Sequence, residues 1–396
     1  MVIATCGTGC ISSQLYNASP DQYLRPIAEP SDETVGADLA IIEFDEVGML
    51  WEPDQVEAAV ELIQERNQAS ERGIVLVTFT HGWMNDADPD RKAGDLQRFR
   101  DSMQRLAVEL KMSGAPAPDH VVGVYIGWRG ATTRFPLVKS LTFWSRKAAA
   151  ERVASPQMRE TLFRLTDATK MRPDSKVFLS GHSMGGMILA KAIAPVIATK
   201  VMSSRGDGVP VPVDLVLLQN PALDGLAVYQ LLEFMKRNQI KVELRHEDGS
   251  VRRSVGPLIV SITSEADTAT RVAYPFGQIV NNLLLPFQDS LGEGLPPQSQ
   301  LANRAHGHID FLVSHRAKAE DGKLILTGRP DAFNDTPFWI IRTDNRISAD
   351  HGDIYNPRFL RLVSSIAELN DIYDTQLSTW IVRGDHDDSA NITESE

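Results

Sequence analysis

The chain has little cysteine. Its 396 residues include only Cys6 and Cys10, both close to the N-terminus. A disulfide framework or a cysteine-bound structural metal needs cysteines distributed through the fold, so neither holds this fold together. The sequence also lacks an H-E-x-x-H helix, a G-x-x-x-x-G-K-[ST] loop and a strand-linked G-x-G-x-x-G, which argues against the usual zinc-hydrolase and nucleotide sites. We therefore expect no metal and no other cofactor.

The chain is also short of positive charge and of long apolar runs. Forty Lys and Arg stand against 52 Asp and Glu, a net charge of −12, and no Lys/Arg-rich block occurs. This balance argues against a nucleic-acid partner. The longest apolar candidate, residues 187–198, is interrupted by Lys191, so we expect no transmembrane segment. A content of 42% hydrophobic and 23% charged residues is typical of a globular protein with a sizeable core.

The N-terminus allows two interpretations. It lacks the charged region and the full apolar region of a complete signal peptide. It resembles the cleavage end of a bacterial lipoprotein signal, in which Cys6 or Cys10 would carry a lipid anchor. The alternative is an unstructured N-terminus with incidental thiols. Both a cytoplasmic and a bacterial cell-envelope location therefore stay open.

The most informative pattern lies at residues 176–186, which read Lys-Val-Phe-Leu-Ser-Gly-His-Ser-Met-Gly-Gly. A short apolar run ends at a serine with glycines two positions before and after it, and an apolar-periodic stretch follows. A serine on a tight strand-to-helix turn needs small neighbours at Gly181 and Gly185, because strand and helix approach closely there. The pattern predicts a nucleophile elbow with Ser183 as the nucleophile.

From about residue 37, apolar runs alternate with helical patterns. This alternation predicts an α/β fold with a mostly parallel sheet flanked by helices. We expect buried strands at 74–79, 121–128, 177–180, 213–218, 258–263 and 338–347, and a hairpin of edge strands at 40–51. Helices are expected at 53–70, 93–112, 187–197, 357–369 and 372–382.

One domain is expected over residues 37–382, with an N-terminal extension at 1–36 and an acidic, disordered tail at 383–396. Three insertions, near 131–172, 221–256 and 276–336, each follow the carboxyl end of a strand. Ligands of open α/β sheets bind beyond these ends, so the insertions are placed to form a cap or the walls of a pocket.

The G-H-S-M-G-G turn, the His81-Gly82-Trp83 sequence after an early strand and the order of the strands resemble the α/β-hydrolase superfamily, in particular its serine esterases and lipases. The resemblance covers roughly residues 37–370. It implies an α/β-hydrolase fold and a triad in the chain order Ser, acid, His, each residue on a loop after a successive strand.

The implied order leaves a choice of base and acid. His351, between the last predicted strand and the final helices, is favoured as the base, with His306 and His308 as alternatives that are expected to be solvated. The first choice of acid is Asp267, which follows the strand at 258–263; Asp224 and Glu265 are the alternatives.

The oxyanion hole implied by the resemblance uses the backbone N–H groups of Met184 and Trp83. We expect His81, Gly82 and His182 to lie at the substrate pocket, where the two histidines orient loops rather than transfer protons. We further expect Met84 and Asn85 to line its entrance.

These residues predict a serine hydrolase that cleaves a small-molecule carboxylic ester through an acyl-enzyme. Two rivals remain. An amidase, peptidase or acyltransferase can use the same triad, because the acyl-enzyme does not dictate its acceptor. A catalytically silent α/β-hydrolase scaffold could instead act as a binding module.

Overall fold

A computed structural model describes most of the chain, in ranges separated by short gaps. The described residues are 13–92, 94–113, 117–132, 136–203, 213–238, 243–245, 251–253, 257–289, 291–292, 295–320, 323–329, 336–369 and 390–392. Cys6, Cys10 and the helix expected at 372–382 lie outside them.

The centre of the fold is a mixed sheet of 11 strands in the order β1-β2-β4-β3-β5-β6-β9-β12-β10-β11-β13. A separate two-stranded sheet pairs β7 with β8. The strands of the described residues are β1 Leu24–Ala28, β2 Gly36–Glu43, β3 Ile74–Thr80, β4 His120–Gly127, β5 Lys176–His182, β6 Leu215–Gln219, β7 Glu243–Arg245, β8 Val251–Arg253, β9 Ile259–Ser264, β10 His315–Glu320, β11 Lys323–Gly328, β12 Phe338–Thr343 and β13 Ala390–Ile392.

Helices cover both faces of the sheet, which makes three layers. α2, α4, α5, α6 and α7 contribute to the core on one face, and α3 and α10 to the core on the other. The helices of the described residues are α1 Pro20–Tyr23, α2 Asp54–Ala69, α3 Asp95–Met112, α4 Pro136–Val153, α5 Pro156–Lys170, α6 Met184–Ser203, α7 Gly225–Arg237, α8 Tyr274–Asn282, α9 Gln298–Asn303 and α10 Pro357–Leu369, together with a π-helix at Ala269–Ala273 and a 3-10 turn at His306–His308.

All neighbouring pairs from β2 to β10 in the sheet order are parallel. The carboxyl ends of these strands therefore meet at one edge of the sheet. His182 of β5 pairs with Gln219 of β6, and Ser264 of β9 pairs with Thr343 of β12. The loops that follow these four strands are consequently neighbours in space.

The predicted α/β layering with a mostly parallel sheet is confirmed. The predicted helix at 357–369 matches α10, and the six predicted buried strands correspond to β3, β4, β5, β6, β9 and β12. The hairpin of edge strands at 40–51 is wrong. Its first part belongs to β2, which is buried throughout and lies between β1 and β4. Its second part forms a turn closed by a single bridge between Phe44 and Leu50.

The sheet also contains strands in segments where none was predicted. β1 lies within the segment 1–36, which was expected to be an extension, and pairs antiparallel with β2. β10 and β11 lie within the insertion expected at 276–336, and β10 adds to β12 as a parallel strand. In the tail expected to be disordered, Ala390–Ile392 pairs with β11, on the side of β11 that faces away from β10. Without this pairing, that side of β11 would present unpaired backbone groups.

Candidate active site

Ser183 lies on the tight turn between β5 and α6, in the left-handed region of backbone space with φ of 56°. Its N–H donates to the Gln219 carbonyl at 2.9 Å. A Cβ on Gly185 would lie 2.0 Å from the Thr80 carbonyl oxygen, and one on Gly181 would lie 2.7 Å from the Gly185 oxygen. The two glycines flanking Ser183 are thus required by close backbone packing.

Three side chains, from the loops after β5, β9 and β12, form one hydrogen-bonded row. The Ser183 hydroxyl donates to His351 Nε2 at 2.8 Å, and His351 Nδ1 donates to Asp267 Oδ2 at 2.8 Å. The serine is 3% exposed and the Asp267 side chain fully buried, whereas the His351 side chain is 25% exposed. Solvent therefore reaches the row at the imidazole. A histidine in this arrangement can take a proton from the serine while the carboxylate fixes its tautomer.

Asp267 is held in its ionised form despite its burial. Thr270 donates both its backbone N–H, at 3.1 Å to Oδ1, and its hydroxyl, to Oδ2. Burial raises the pKa of the carboxyl, but the hydrogen bond and charge of His351 and the two bonds from Thr270 outweigh burial and bring the pKa below 3.8. The carboxylate is therefore charged at neutral pH and able to stabilise an imidazolium.

The loop that carries His351 is tied down through its backbone. The His351 carbonyl accepts hydrogen bonds from His182 Nε2 at 2.8 Å and from Asn220 Nδ2 at 2.9 Å. Asn220 Oδ1 accepts from the backbone N–H of Ser264 at 2.9 Å. The end of β9 and the histidine loop are thus joined through one asparagine at the end of β6. Burial and the neighbouring His351 lower the pKa of His182 to about 3, so this histidine stays neutral.

The loop after β3 lies directly against Ser183. A Cβ on Gly82 would be 2.8 Å from the Ser183 Cβ, so only glycine lets the loop come this close. His81 is fully buried: its Nε2 accepts from the Trp128 backbone N–H at 3.0 Å, and its Nδ1 donates to the Gly82 carbonyl at 2.9 Å. Burial lowers the pKa of His81 to about 4. These contacts make His81 a neutral support for the loop.

Two backbone N–H groups are candidates to face the serine: Met184 follows Ser183 in sequence, and Trp83 follows Gly82, which packs against Ser183. Within the described ranges, neither group donates a hydrogen bond to the protein. The neighbouring Met84 N–H is engaged by the Gly130 carbonyl at 2.9 Å, and Met84 has a φ of 69°. Met184 is the first residue of α6, where the helix dipole favours negative charge. The two amides are thus free to bond an oxyanion at Ser183.

A row of aromatic side chains leads away from this loop. Trp83 contacts Phe143 edge-to-face at a ring-centroid distance of 5.2 Å, and Phe143 contacts Trp144 at 4.9 Å. Trp144 continues to Tyr274, at 6.5 Å, and covers Gly277 of α8. The insertion that contains α4 therefore places a partly exposed aromatic wall beside the site.

The alternative candidates lie elsewhere. Asp224 caps α7 by accepting the Ala227 N–H at 2.8 Å, and the Glu265 side chain is exposed. His306 is fully buried rather than solvated, because its Nε2 accepts the Ser261 hydroxyl at 2.7 Å and its Nδ1 donates to the Leu223 carbonyl. His308 is half-buried rather than solvated, with Nε2 at 2.9 Å from the Thr270 hydroxyl. None of the four contacts Ser183 or His351.

Sequence reasoning missed two residues that support the row, Asn220 and Thr270, and it considered His308 only as an alternative base and not as a neighbour of Thr270. Asn220 follows the apolar run of β6 directly, which is the one signal available, since a polar residue at the carboxyl end of a parallel strand lies near the site. Thr270 lies only three residues after Asp267, so its contact with the carboxylate is local. The role of His308 has no local signal, because His308 meets Thr270 only through tertiary contact.

Among the described residues, no group of three or more His, Cys, Asp or Glu is arranged to hold a metal ion. No helix in the same residues combines the length and the apolar character needed to cross a membrane.

Comparisons with known proteins give structural neighbours only. No protein-family model and no curated protein matches the chain. Among solved structures, phospholipase PlaB from Legionella pneumophila is similar at 13% identity over 81% of this chain and 68% of PlaB, with a TM-score of 0.29. PlaB in complex with thio-NAD is similar at 13% identity over 81% of this chain and 67% of PlaB, with a TM-score of 0.27.

Proposed function

We propose that this chain is a serine hydrolase of α/β-hydrolase type that cleaves carboxylic esters. The observation that carries the proposal is the hydrogen-bonded row of Ser183, His351 and Asp267. The three residues follow β5, β12 and β9, so along the chain they occur in the order serine, acid, histidine. The strained turn of Ser183, between a buried strand and a long helix, supports a nucleophile elbow.

In the proposed reaction, Ser183 Oγ attacks the ester carbonyl carbon as its proton passes to His351 Nε2. Asp267, bonded to Nδ1, stabilises the imidazolium that forms. The N–H groups of Trp83 and Met184 receive the negative charge of the tetrahedral oxygen. His351 then returns the proton to the departing alcohol. A water molecule, activated by the same imidazole, releases the acid and restores Ser183.

The buried supports suit this chemistry. Burial lowers the pKa of His81 to about 4 and that of His182 to about 3, so both are weak bases and neither competes with His351 for the serine proton. The aromatic wall of Phe143 and Trp144 offers apolar surface beside Trp83, on the loop after β3. Such a surface suits an ester with an apolar portion.

The first test is Ser183→Ala. This variant removes the nucleophile without a change of fold, so we expect hydrolysis of short p-nitrophenyl esters to fall at least ~10³-fold. Labelling by a fluorophosphonate probe should disappear, because the probe forms its bond with an activated serine. If the variant is still labelled at the wild-type rate, Ser183 is not the nucleophile.

A matched pair of carboxylates serves as the control. Asp267→Asn removes the charge and permits the wrong histidine tautomer, for which a loss of up to ~10⁴ in kcat is expected. Asp224→Asn makes the same chemical change at a helix N-cap, where asparagine is equally suitable, and should leave kcat unchanged. Equal effects of the two variants would remove Asp267 from its assigned role. Amide substrates measured alongside the esters distinguish an amidase or peptidase.

A further inference from the structure

Beyond the three-residue row, the hydrogen bonds continue past the acid. Thr270 Oγ1 contacts Asp267 Oδ2 on one side and His308 Nε2, at 2.9 Å, on the other. Ser183, His351, Asp267, Thr270 and His308 are thereby joined in one unbroken chain of side-chain contacts. The proposed mechanism uses only the first three of them.

The direction of each bond follows from counting hydrogens. Asp267 is ionised and can only accept, so the single hydroxyl hydrogen of Thr270 is directed to its Oδ2. The remaining contact of the hydroxyl oxygen, with His308, must then be one in which it accepts. His308 Nε2 therefore carries a hydrogen and donates it to Thr270. A hydroxyl that accepts one hydrogen bond is a better donor of the next, because the bonds polarise one another.

The fold holds His308 in this position. His308 ends the 3-10 turn His306–His308, whose middle residue is packed so tightly that a Cβ on Gly307 would lie 2.1 Å from Thr263 Oγ1. The Gly307 carbonyl accepts a hydrogen bond from Arg342 Nε at 2.8 Å. Burial lowers the pKa of His308 to about 4, so the ring is neutral at physiological pH. Its hydrogen bond to Thr270 therefore does not change through protonation in that range.

We propose that Thr270 and His308 are positioning residues, which fix the Asp267 carboxylate and through it the orientation of the His351 imidazole. The inference rests on the proposed serine-hydrolase function. His308 acts on Thr270, Thr270 acts on Asp267, and neither touches the reacting atoms. Their contribution is to the chemical step and not to the binding of the ester.

The principal test compares Thr270→Val with Thr270→Ser. Valine keeps the shape of threonine but cannot donate to Asp267, so kcat should fall roughly tenfold or more with KM unchanged. Serine retains the hydroxyl, and its kcat should stay within about threefold of the wild type. The matched control is Thr343→Val: this threonine is equally buried, and its hydroxyl has no partner among the described residues. A kcat for Thr270→Val equal to that of the control would overturn the proposal.

A double-mutant cycle tests the order of the chain. His308→Phe removes the donor and should lower kcat severalfold, whereas His308→Gln, which keeps a donating N–H, should retain most of it. Because His308 acts through Thr270, His308→Phe should cost nothing further in the Thr270→Val background. Additive losses from the two substitutions would show that His308 acts independently and would contradict the proposal.

A spectroscopic measurement separates this proposal from the proposed function. The Nδ1 hydrogen of His351, held by Asp267, gives a far-downfield proton resonance that is observable in a chain of any activity. Thr270→Val should shift or broaden this resonance, and Thr343→Val should leave it in place. If Ser183 fails as the nucleophile but the shift occurs, the positioning role stands and the function falls. A resonance that is unchanged in Thr270→Val refutes the positioning role. If Thr270→Val is too unstable to measure, the same resonance is recorded in His308→Phe, and an unchanged position there refutes the role equally.

Discussion

Asn220 shows how much of the site depends on one buried side chain outside the row of Ser183, His351 and Asp267. Its backbone has a φ of 43°, a region that side chains other than asparagine and aspartate rarely adopt. Its amide group donates to the His351 carbonyl and accepts from the Ser264 N–H, and its own N–H donates to the Ile262 carbonyl. The residue therefore fixes the spacing between the end of β6, the end of β9 and the loop that carries His351.

We predict that Asn220→Gly and Asn220→Ala both lower stability and slow ester hydrolysis. Each loses the two side-chain hydrogen bonds, which costs about 1–3 kcal/mol because the buried Ser264 N–H stays unsatisfied, while the His351 carbonyl keeps only its bond from His182. Alanine in addition meets the steric cost of the left-handed conformation, so it should be less stable than glycine by about 1 kcal/mol. Urea unfolding and kcat measure the two effects. An alanine variant as stable as the glycine variant would refute the backbone argument.

At the scale of elements, the turn between β5 and α6 depends on close approach to the end of β3. The position of a Gly185 Cβ is occupied by the Thr80 and His81 carbonyl oxygens, at 2.0 and 2.5 Å. These atoms belong to the last residue of the buried strand β3 and to the buried residue after it, and such backbone cannot move aside as a surface side chain can. The glycine therefore sets the distance between helix and sheet, and with it the height of Ser183 above the strand ends.

We predict that Gly185→Ala destabilises the protein by ~3 kcal/mol or more, because the added methyl group overlaps backbone atoms. Gly352→Ala is the control from the histidine loop, since its Cβ would meet nothing closer than Asp350 Oδ1 at 3.7 Å. That variant should change stability by less than about 0.5 kcal/mol. Thermal and urea unfolding of both proteins provide the comparison. A Gly185→Ala variant as stable as Gly352→Ala would show that the turn tolerates a wider spacing.

Which elements could be predicted from sequence depends on how they are buried. Strands covered on both faces are continuous apolar runs, and β3, with Ile-Val-Leu-Val, was predicted to within one residue at each end. β1 was not predicted, because it contains Pro26 and proline argues against a strand. An edge strand nevertheless tolerates a proline. β10 reads His-Arg-Ala-Lys-Ala-Glu, an alternation of buried and exposed positions in which the buried residues are small or polar. Such a strand shows the two-residue alternation of burial but lacks the large apolar residues by which a strand is recognised in a sequence.

The site was predictable up to the point where tertiary contacts decide. Chain order and position after a strand selected Ser183 and His351, which the structure brings within 2.8 Å of each other. They could not separate Asp267 from Asp224, because both follow strands whose carboxyl ends meet at one edge. The distinction comes from the direction in which each loop leaves the sheet, and Asp224 turns away to cap α7. No local pattern encodes that direction.

At the scale of the whole molecule, the chain buries many of its histidines in neutral form. Burial is the largest cause in each case, and it lowers the pKa from 6.5 to about 3 for His182 and about 4 for His81, His306, His308 and His315. Some buried carboxyl groups act in the opposite sense, since burial raises the pKa of Asp95 to about 6 and also raises the pKa of Glu43, Asp86 and Glu109.

We predict that this chain loses stability steeply as the pH falls from about 6.5 towards 4. In this range the unfolded chain protonates the five histidines while the folded chain keeps them neutral, so unfolding takes up protons and acid favours it. Each such histidine contributes at most ~1.4 kcal/mol per pH unit to this loss of stability, and the five histidines outnumber the four carboxyl groups that oppose them.

Urea unfolding at pH 8, 7, 6, 5 and 4.5 measures how steeply the stability falls with pH. Full stability should be present above pH 7, and His315→Phe, which removes one titrating ring and keeps an aromatic ring against Trp339, should make the slope shallower. A stability that stays constant between pH 7 and pH 4.5 would mean that the histidines gain protons in the folded chain as readily as in the unfolded one.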